Sequence, residues 1–252
     1  MSKKAWIILG TILSIILLSA IATGGVIAYK THQADNVADA YHETSKKAEN
    51  GKLDSIKKLK DSKTGDNMNN QDALNQIVSN PNDIYGQYAG VDRVGIDDIN
   101  NKMYDENGNI SQKYKDIVDK YCTGHIEIPS LNLNLPIIEG TSDDHLWAGA
   151  TTYRPHQTLS KGNFILLSHN VGYDNMLFSD LPKIKKGAKI KVVSYAEGHR
   201  QLQNYKVDEI KVVNENDGHY LDKTDDKRLT LITCDEPNEN AKNRVIVIAK
   251  PI

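Results

Sequence analysis

The stretch that decides the fold of this chain is Leu229-Thr230-Leu231-Ile232-Thr233-Cys234. Its apolar and β-branched residues predict a β-strand, and that strand ends in a cysteine. A sulfur atom at the rim of a sheet is held rigidly and is still open to a reacting partner. The stretch therefore predicts a β-rich domain that carries Cys234 at the edge of a site.

Other strand-length runs occur on both sides of this stretch. Gly, Pro, Asn and Asp turns separate them, and no regular alternation of strand and helix is visible. This pattern predicts an all-β dominated domain, a closed or nearly closed antiparallel-rich β-barrel. The runs lie at 126–128, 131–135, 164–167, 190–193, 205–213, 229–233 and 245–249.

Two more residues are candidates for chemistry with Cys234. His169 follows the apolar run 164–167, and Arg244 comes ten positions after the cysteine. A thiolate is the reactive form of cysteine, and nearby positive charge favours it. An imidazole can also give a proton to a leaving amine near neutral pH. His199 and His219 lie in predicted turns and are weaker candidates.

Five separated landmarks occur between residues 121 and 252. They are Gly124-His125-Ile126-Glu127-Ile128-Pro129, Leu135-Pro136-Ile137-Ile138-Glu139-Gly140, Ser168-His169-Asn170 with Met176-Leu177-Phe178-Ser179, Thr230-Leu231-Ile232-Thr233-Cys234, and Arg244. In order and spacing these landmarks resemble the sortases. The resemblance implies an eight-stranded β-barrel with short helices. It also implies a membrane-anchored cysteine transpeptidase of Gram-positive bacteria, which cuts an LPxTG-type sorting signal between Thr and Gly and transfers the protein to a cell-wall amine.

The resemblance also implies roles for single residues. Cys234 is the expected nucleophile, His169 the general acid/base, and Arg244 the clamp for the oxyanion or the substrate. Thr233 and Ser168 are expected to bind substrate. The implied partners are LPxTG-type surface proteins and an amine of the peptidoglycan precursor lipid II.

No cofactor and no metal are expected. Some sortases bind calcium through carboxylates in the loop before the histidine strand, but the corresponding loop 154–162 contains no Asp or Glu. The chain ends at Ile252, and neither a second membrane segment nor an Asp-Pro-aromatic lid is visible. Pilus-assembling sortases often have these features, so a class A-like sortase is the better match.

The N-terminus predicts a membrane anchor. Residues 5–29 contain no charged side chain, and Lys3 and Lys4 precede them. Such a span crosses about 30 Å of hydrocarbon as a helix, and the lysines keep residues 1–4 in the cytoplasm. The alternative is a cleaved signal peptide ending at Ala20-Ile21-Ala22. Both place the rest of the chain outside the cytoplasm.

Residues 30–120 are predicted to form a polar, partly helical stalk ahead of the catalytic domain, residues 121–252. A weak amphipathic pattern runs from 34 to 59, and turn-rich stretches follow at 61–67 and 80–83. The stalk would space the domain from the membrane. The alternative is an appendage that packs over the active site or regulates it.

Composition excludes one function class and leaves two alternatives open. A net charge of −2 and the lack of a basic run with interleaved aromatics argue against nucleic-acid binding. The same thiol chemistry could end in hydrolysis, which would make a peptidase. A disulfide between Cys122 and Cys234, the two cysteines of the chain, would instead staple a non-catalytic surface domain.

Overall fold

A computed structural model describes residues 3–62, 95–154, 156–238 and 241–252. The turns predicted at 63–67 and 80–83 lie outside these residues. The described part contains five α-helices and three short 3-10 helices. The α-helices are α1 (Lys3–Glu49), α2 (Asp54–Ser62), α3 (Ile96–Met103), α4 (Gln112–Tyr121) and α5 (Asp143–Leu146). The 3-10 helices span Pro129–Leu131, Leu181–Lys183 and Gly218–Leu221.

Eight strands close into one barrel. They are β1 (Cys122–Ile128), β2 (Leu133–Ile138), β3 (Ala150–Thr152), β4 (Asn163–Leu167), β5 (Lys189–Ser194), β6 (Gln201–Asn214), β7 (Arg228–Cys234) and β8 (Asn243–Pro251). The order around the barrel is β1-β2-β3-β4-β7-β8-β6-β5, and β5 pairs with β1 to close it. The predicted eight-stranded barrel is confirmed. Pairs β2–β3 and β4–β7 are parallel, and the other neighbours are antiparallel.

The wall formed by β4, β7 and β8 is covered on both faces, which explains its nearly continuous apolar sequence. Alternate residues point to opposite faces of a strand. Inward-facing residues such as Leu166, Leu231 and Val247 belong to the main core. Their outward-facing neighbours form a second apolar cluster that includes Leu167 and Ile232. The outer face of this wall is therefore packed with apolar side chains and is not a solvated polar face.

The N-terminal helices share the core of the barrel. Val37 and Tyr41 of α1 and Ile56 of α2, apolar positions of the predicted amphipathic pattern, are fully buried in the same cluster as the barrel strands. The Tyr41 hydroxyl donates a hydrogen bond to the carbonyl oxygen of Trp147. Glu49, the last residue of α1, forms an ion pair with Lys191 of β5 at 2.6 Å. These contacts dock α1 and α2 on the barrel.

None of the helices in the described part of the chain combines the length and the hydropathy that a membrane crossing needs. The predicted anchor at 5–29 is therefore not confirmed.

Candidate active site

Cys234 and Arg244 lie directly opposite each other on neighbouring strands. Cys234 ends β7, Arg244 is the second residue of β8, and the antiparallel register pairs their Cα atoms. Directly opposed residues of an antiparallel pair project to the same face, about 5 Å apart. The strand register therefore brings together a thiol and a guanidinium that are ten residues apart in sequence.

His169 lies level with Cys234 on the strand at the other side of β7. Strand β4 runs parallel to β7 and pairs Leu167 with Ile232. The amide of Ser168 extends the pairing by donating to the carbonyl oxygen of Ile232 at 3.3 Å. Because His169 and Cys234 each come two residues after a paired position, the register places both at the same end of the barrel wall.

An apolar groove lies on the outer face of this wall. Arg244 lines one end of it, together with Glu215, Asn214 and Asp217 from the end of β6 and the loop that follows. The apolar lining residues are Tyr153, Leu167, Val213, Tyr220, Leu221, Ile232 and Ile246. A groove with apolar walls and a few polar groups at one end is the usual form of a binding site.

Side-chain hydrogen bonds fix the backbone around the cysteine and histidine. The Thr233 hydroxyl donates to the carbonyl oxygen of Ser168 at 2.9 Å, and the Ser168 hydroxyl donates to that of Gly149 at 3.0 Å. The Asn170 amide donates to the carbonyl oxygen of Cys234 at 3.1 Å. Thr233 and Ser168, for which the sequence predicts substrate binding, are both buried. Their substrate-binding role stays a prediction; the observed contacts tie β4 to β7.

Burial keeps the thiol and the imidazole neutral. It raises the pKa of Cys234, Arg244 lowers that pKa, and the carboxylates of Asp235 and Glu215 raise it further. Part of the His169 side chain reaches solvent, but its Nε2 atom is buried and has no hydrogen-bond partner among the described residues. Burial, followed by the charge of Lys102 on α3, lowers the pKa of His169 to about 4.

Both cysteines are free, so the structure does not contain the alternative disulfide. Cys122 is fully buried at the start of β1, and its thiol contacts the carbonyl oxygen of Gly124 at 3.4 Å. Burial raises the pKa of Cys122 to about 12. A protonated, inaccessible thiol is inert, whereas Cys234 is partly open to solvent.

Sequence reasoning gave no role to three residues at the site, although Asn170 belongs to the landmark Ser168-His169-Asn170. Glu215 binds Arg244 from the end of β6, Asn170 binds the backbone of Cys234, and Lys102 reaches the surroundings of His169 from α3. Each contact joins residues far apart in sequence. Knowledge of the β6–β8 register would have been enough to predict that Glu215 lies near Arg244, because Val213 pairs with Arg244.

The structure thus places a thiol at a strand end, opposite an arginine, on a closed eight-stranded barrel. Comparison with known proteins identifies the family that has this fold. A sequence model of the Sortase domain matches residues 126–252, half of the chain. This chain belongs to the sortase family.

Similar proteins include two curated sortases. Sortase A of Listeria monocytogenes is 42% identical over 124 residues, which are 49% of this chain and 54% of that protein. Sortase A of Bacillus anthracis is 32% identical over 127 residues, 50% of this chain and 59% of that protein. A solved structure of L. monocytogenes sortase A is 37% identical, covers 52% of this chain and 88% of that one, and has a TM-score of 0.49. The chain thus spans about half the length of the curated relatives it matches.

Proposed function

We propose that this chain is a membrane-anchored cysteine transpeptidase. It cleaves an LPxTG-type sorting signal between Thr and Gly and transfers the new carboxyl end to an amine of a cell-wall precursor, lipid II. The observation that supports the proposal is the strand register, which pairs Cys234 with Arg244 and brings Cys234 level with His169, together with the apolar groove that Arg244 lines. The Leu and Pro of the signal suit the groove, because both are apolar.

The proposed chemistry assigns one task to each residue. The Cys234 thiolate attacks the Thr carbonyl carbon, and the Arg244 guanidinium stabilises the oxyanion that forms. The C–N bond breaks as the His169 imidazolium gives its proton to the leaving glycine amine, which leaves a thioester on Cys234. The acceptor amine then attacks the thioester, loses a proton to His169, and releases the thiolate.

The anchor and its orientation are part of the proposal. Residues 5–29 carry no charge, and apolar side chains of α1 such as Leu18, Ile21 and Ile27 are more than half exposed, at 66%, 64% and 61%. Exposed apolar surface on a helix suits a lipid environment. Membrane fractionation, followed by protease treatment of intact cells, tests the anchor: the proposal expects a membrane-bound chain that external protease degrades.

Incubation of residues 30–252 with a Leu-Pro-x-Thr-Gly peptide and triglycine tests the chemistry. Mass spectrometry should detect an acyl-enzyme at Cys234 and a peptide joined to triglycine. Cys234→Ala should abolish cleavage and transfer, since Cys122, the other thiol of the chain, is fully buried. Cys122→Ser is the matched control and should keep near-normal activity, because a serine hydroxyl can also donate to the Gly124 carbonyl oxygen.

Two outcomes would contradict the proposal. Cleavage that yields only the hydrolysed peptide, whatever the amine concentration, would favour the thiol peptidase. Activity of Cys234→Ala above a few per cent of the unmodified enzyme would remove the nucleophile assignment.

A further inference from the structure

Glu215 binds Arg244 at the end of the groove. Its Oε2 atom accepts a hydrogen bond from Nη2 of Arg244 at 3.2 Å, and its backbone amide donates to the carbonyl oxygen of Lys242 at 2.8 Å. The second contact extends the β6–β8 ladder by one residue beyond the Asn214–Asn243 pair. The carboxylate is therefore delivered from an ordered strand end and not from a free loop.

The ion pair is sheltered from solvent. The side chains of Arg244 and Glu215 are 8% and 24% exposed. Nη1 of Arg244 donates to the carbonyl oxygens of Ala241 and Asn243, at 2.7 and 3.0 Å. The guanidinium is thus held on two sides, by backbone at Nη1 and by Glu215 at Nη2. A buried cation that loses its carboxylate partner is strongly disfavoured in that position, unlike the cation of an exposed ion pair.

The same carboxylate acts on the nucleophile. The charged or titratable groups around Cys234 are Arg244 on β8, Glu215 after β6, Asp235 next in the chain, and His169 after β4. Arg244 lowers the pKa of the thiol, and Glu215 raises it. In the substrate-free state Glu215 therefore offsets the positive charge that would otherwise favour the thiolate.

We infer that Glu215 is a positioning residue for Arg244, and that its carboxylate, bound to the guanidinium opposite Cys234, offsets the positive charge there until substrate occupies the groove. The inference rests on the proposed function insofar as Arg244 serves the reaction there. The inference has two parts that can be tested separately. The hydrogen bond from Arg244 to Glu215 orients the guanidinium, and the negative charge of Glu215 raises the pKa of the Cys234 thiol. A substrate carbonyl that becomes an oxyanion then competes with Glu215 for the Nη2 donor.

Two substitutions in the full chain, purified in detergent, separate these parts. Glu215→Gln keeps an oxygen acceptor for Arg244 and removes the charge, whereas Glu215→Ala removes both. The rate of thiol alkylation by iodoacetamide against pH, in the Cys122→Ser background, reports the pKa of Cys234 without any substrate. Both variants should lower that pKa, so that alkylation at neutral pH becomes about threefold or more faster.

Peptide cleavage measures the positioning part. Glu215→Ala should lower kcat about tenfold or more with a small change in KM, while Glu215→Gln should keep most of kcat, because its amide oxygen can still hold Arg244. Glu209→Gln is the matched control, since it removes the same charge from β6, the strand that precedes Glu215, where Glu209 forms an exposed pair with Lys211. It should change neither the thiol pKa nor kcat.

The result that overturns the inference is a thiol pKa in Glu215→Gln equal to that of the unmodified chain. A kcat in Glu215→Gln as low as that of Glu215→Ala would overturn the positioning part. If Glu215→Ala does not fold, Glu215→Gln and Glu209→Gln still decide the charge part. Failure of the unmodified chain to cleave any sorting-signal peptide would remove the proposed function but leave the thiol titration interpretable.

Discussion

At position 244, a guanidinium makes contacts that an ammonium group cannot reproduce. Nη1 and Nη2 reach two backbone carbonyls and a carboxylate at once, in the planar geometry of the fork. If this fork also stabilises an oxyanion, Arg244→Lys should lower kcat about 10²-fold or more, the scale of removing one such donor. Steady-state cleavage of the peptide checks this.

Arg200→Lys is the control for Arg244→Lys. Arg200 is exposed and lies 3.9 Å from Glu49, on the side of the barrel where α1 docks. The Arg200→Lys variant should cleave the peptide at the rate of the unmodified enzyme. A decrease in kcat of less than about fivefold in Arg244→Lys would mean that Arg244 acts only as a diffuse positive charge.

The neutral state of His169 predicts the pH dependence of activity. Burial lowers the pKa of His169 to about 4 and raises that of Cys234 above its ordinary value of 9.0, so thiolate and imidazolium coexist in a small fraction of molecules. The pH profile of kcat/KM should be a broad bell, with its acid limb well below pH 6.5 and its alkaline limb above pH 9. Folding stability should also fall from pH 6.5 towards 4, because only the unfolded chain takes up the proton there.

Histidine variants test the assignment behind this profile. His169→Ala should remove nearly all activity. His199 is exposed, and His219 is mostly exposed and pairs with Asp217 at 2.5 Å, so alanine at either position should leave the bell intact. A normal profile in His169→Ala, or an acid limb near pH 6.5 in the unmodified enzyme, would contradict the assignment.

At the scale of strands, sequence pattern predicted the barrel well where strands are long. The runs at 164–167, 190–193, 229–233 and 245–249 lie inside β4, β5, β7 and β8. Strand β3 was missed because it has three residues, Ala150–Thr152, too few to show a period. Strand pairing joins segments that are far apart in sequence. The register that brings Arg244 opposite Cys234, and the contact between Arg244 and Glu215, could therefore be found only in the structure.

Close approach of β1 and β5 explains why position 124 carries a glycine. A Cβ at Gly124 would lie 1.9 Å from the carbonyl oxygen of Val193, beside the register shift between Cys122 and Gly124. Backbone atoms of a paired strand cannot yield as a flexible side chain can. Gly124→Ala should therefore lower the free energy of unfolding by about 1–3 kcal/mol.

Thermal denaturation by circular dichroism measures this effect. Gly95→Ala is the control: its Cβ would lie 3.4 Å from Oδ2 of Asp98, an ordinary contact with a side-chain atom and not with a paired backbone. Equal melting temperatures of Gly124→Ala and Gly95→Ala would show that β1 and β5 can separate at no cost.

At the scale of the whole molecule, the sequence predicted a stalk between membrane and barrel, with a packed appendage as the alternative. The weak amphipathic pattern could show that a helix face is apolar, but not what it packs against. In the structure Val37, Tyr41 and Ala48 of α1 are fully buried together with barrel residues. The segment that α1 contacts leads to the site, since the Gly149 carbonyl oxygen, two residues after Trp147, accepts the Ser168 hydroxyl.

Tyr41→Ala tests whether this docking stabilises the catalytic barrel. The change removes a buried ring and the hydrogen bond to the Trp147 carbonyl oxygen, so it should cost about 3–5 kcal/mol of unfolding free energy, or roughly 10 °C in Tm. His42→Ala, an exposed neighbour on the same helix, should leave Tm unchanged. A spacer that only tethers the barrel would leave the Tm of residues 30–252 equal in both variants. A drop confined to Tyr41→Ala means that helix and barrel unfold together, so truncation at residue 121 would expose core and reduce the active fraction.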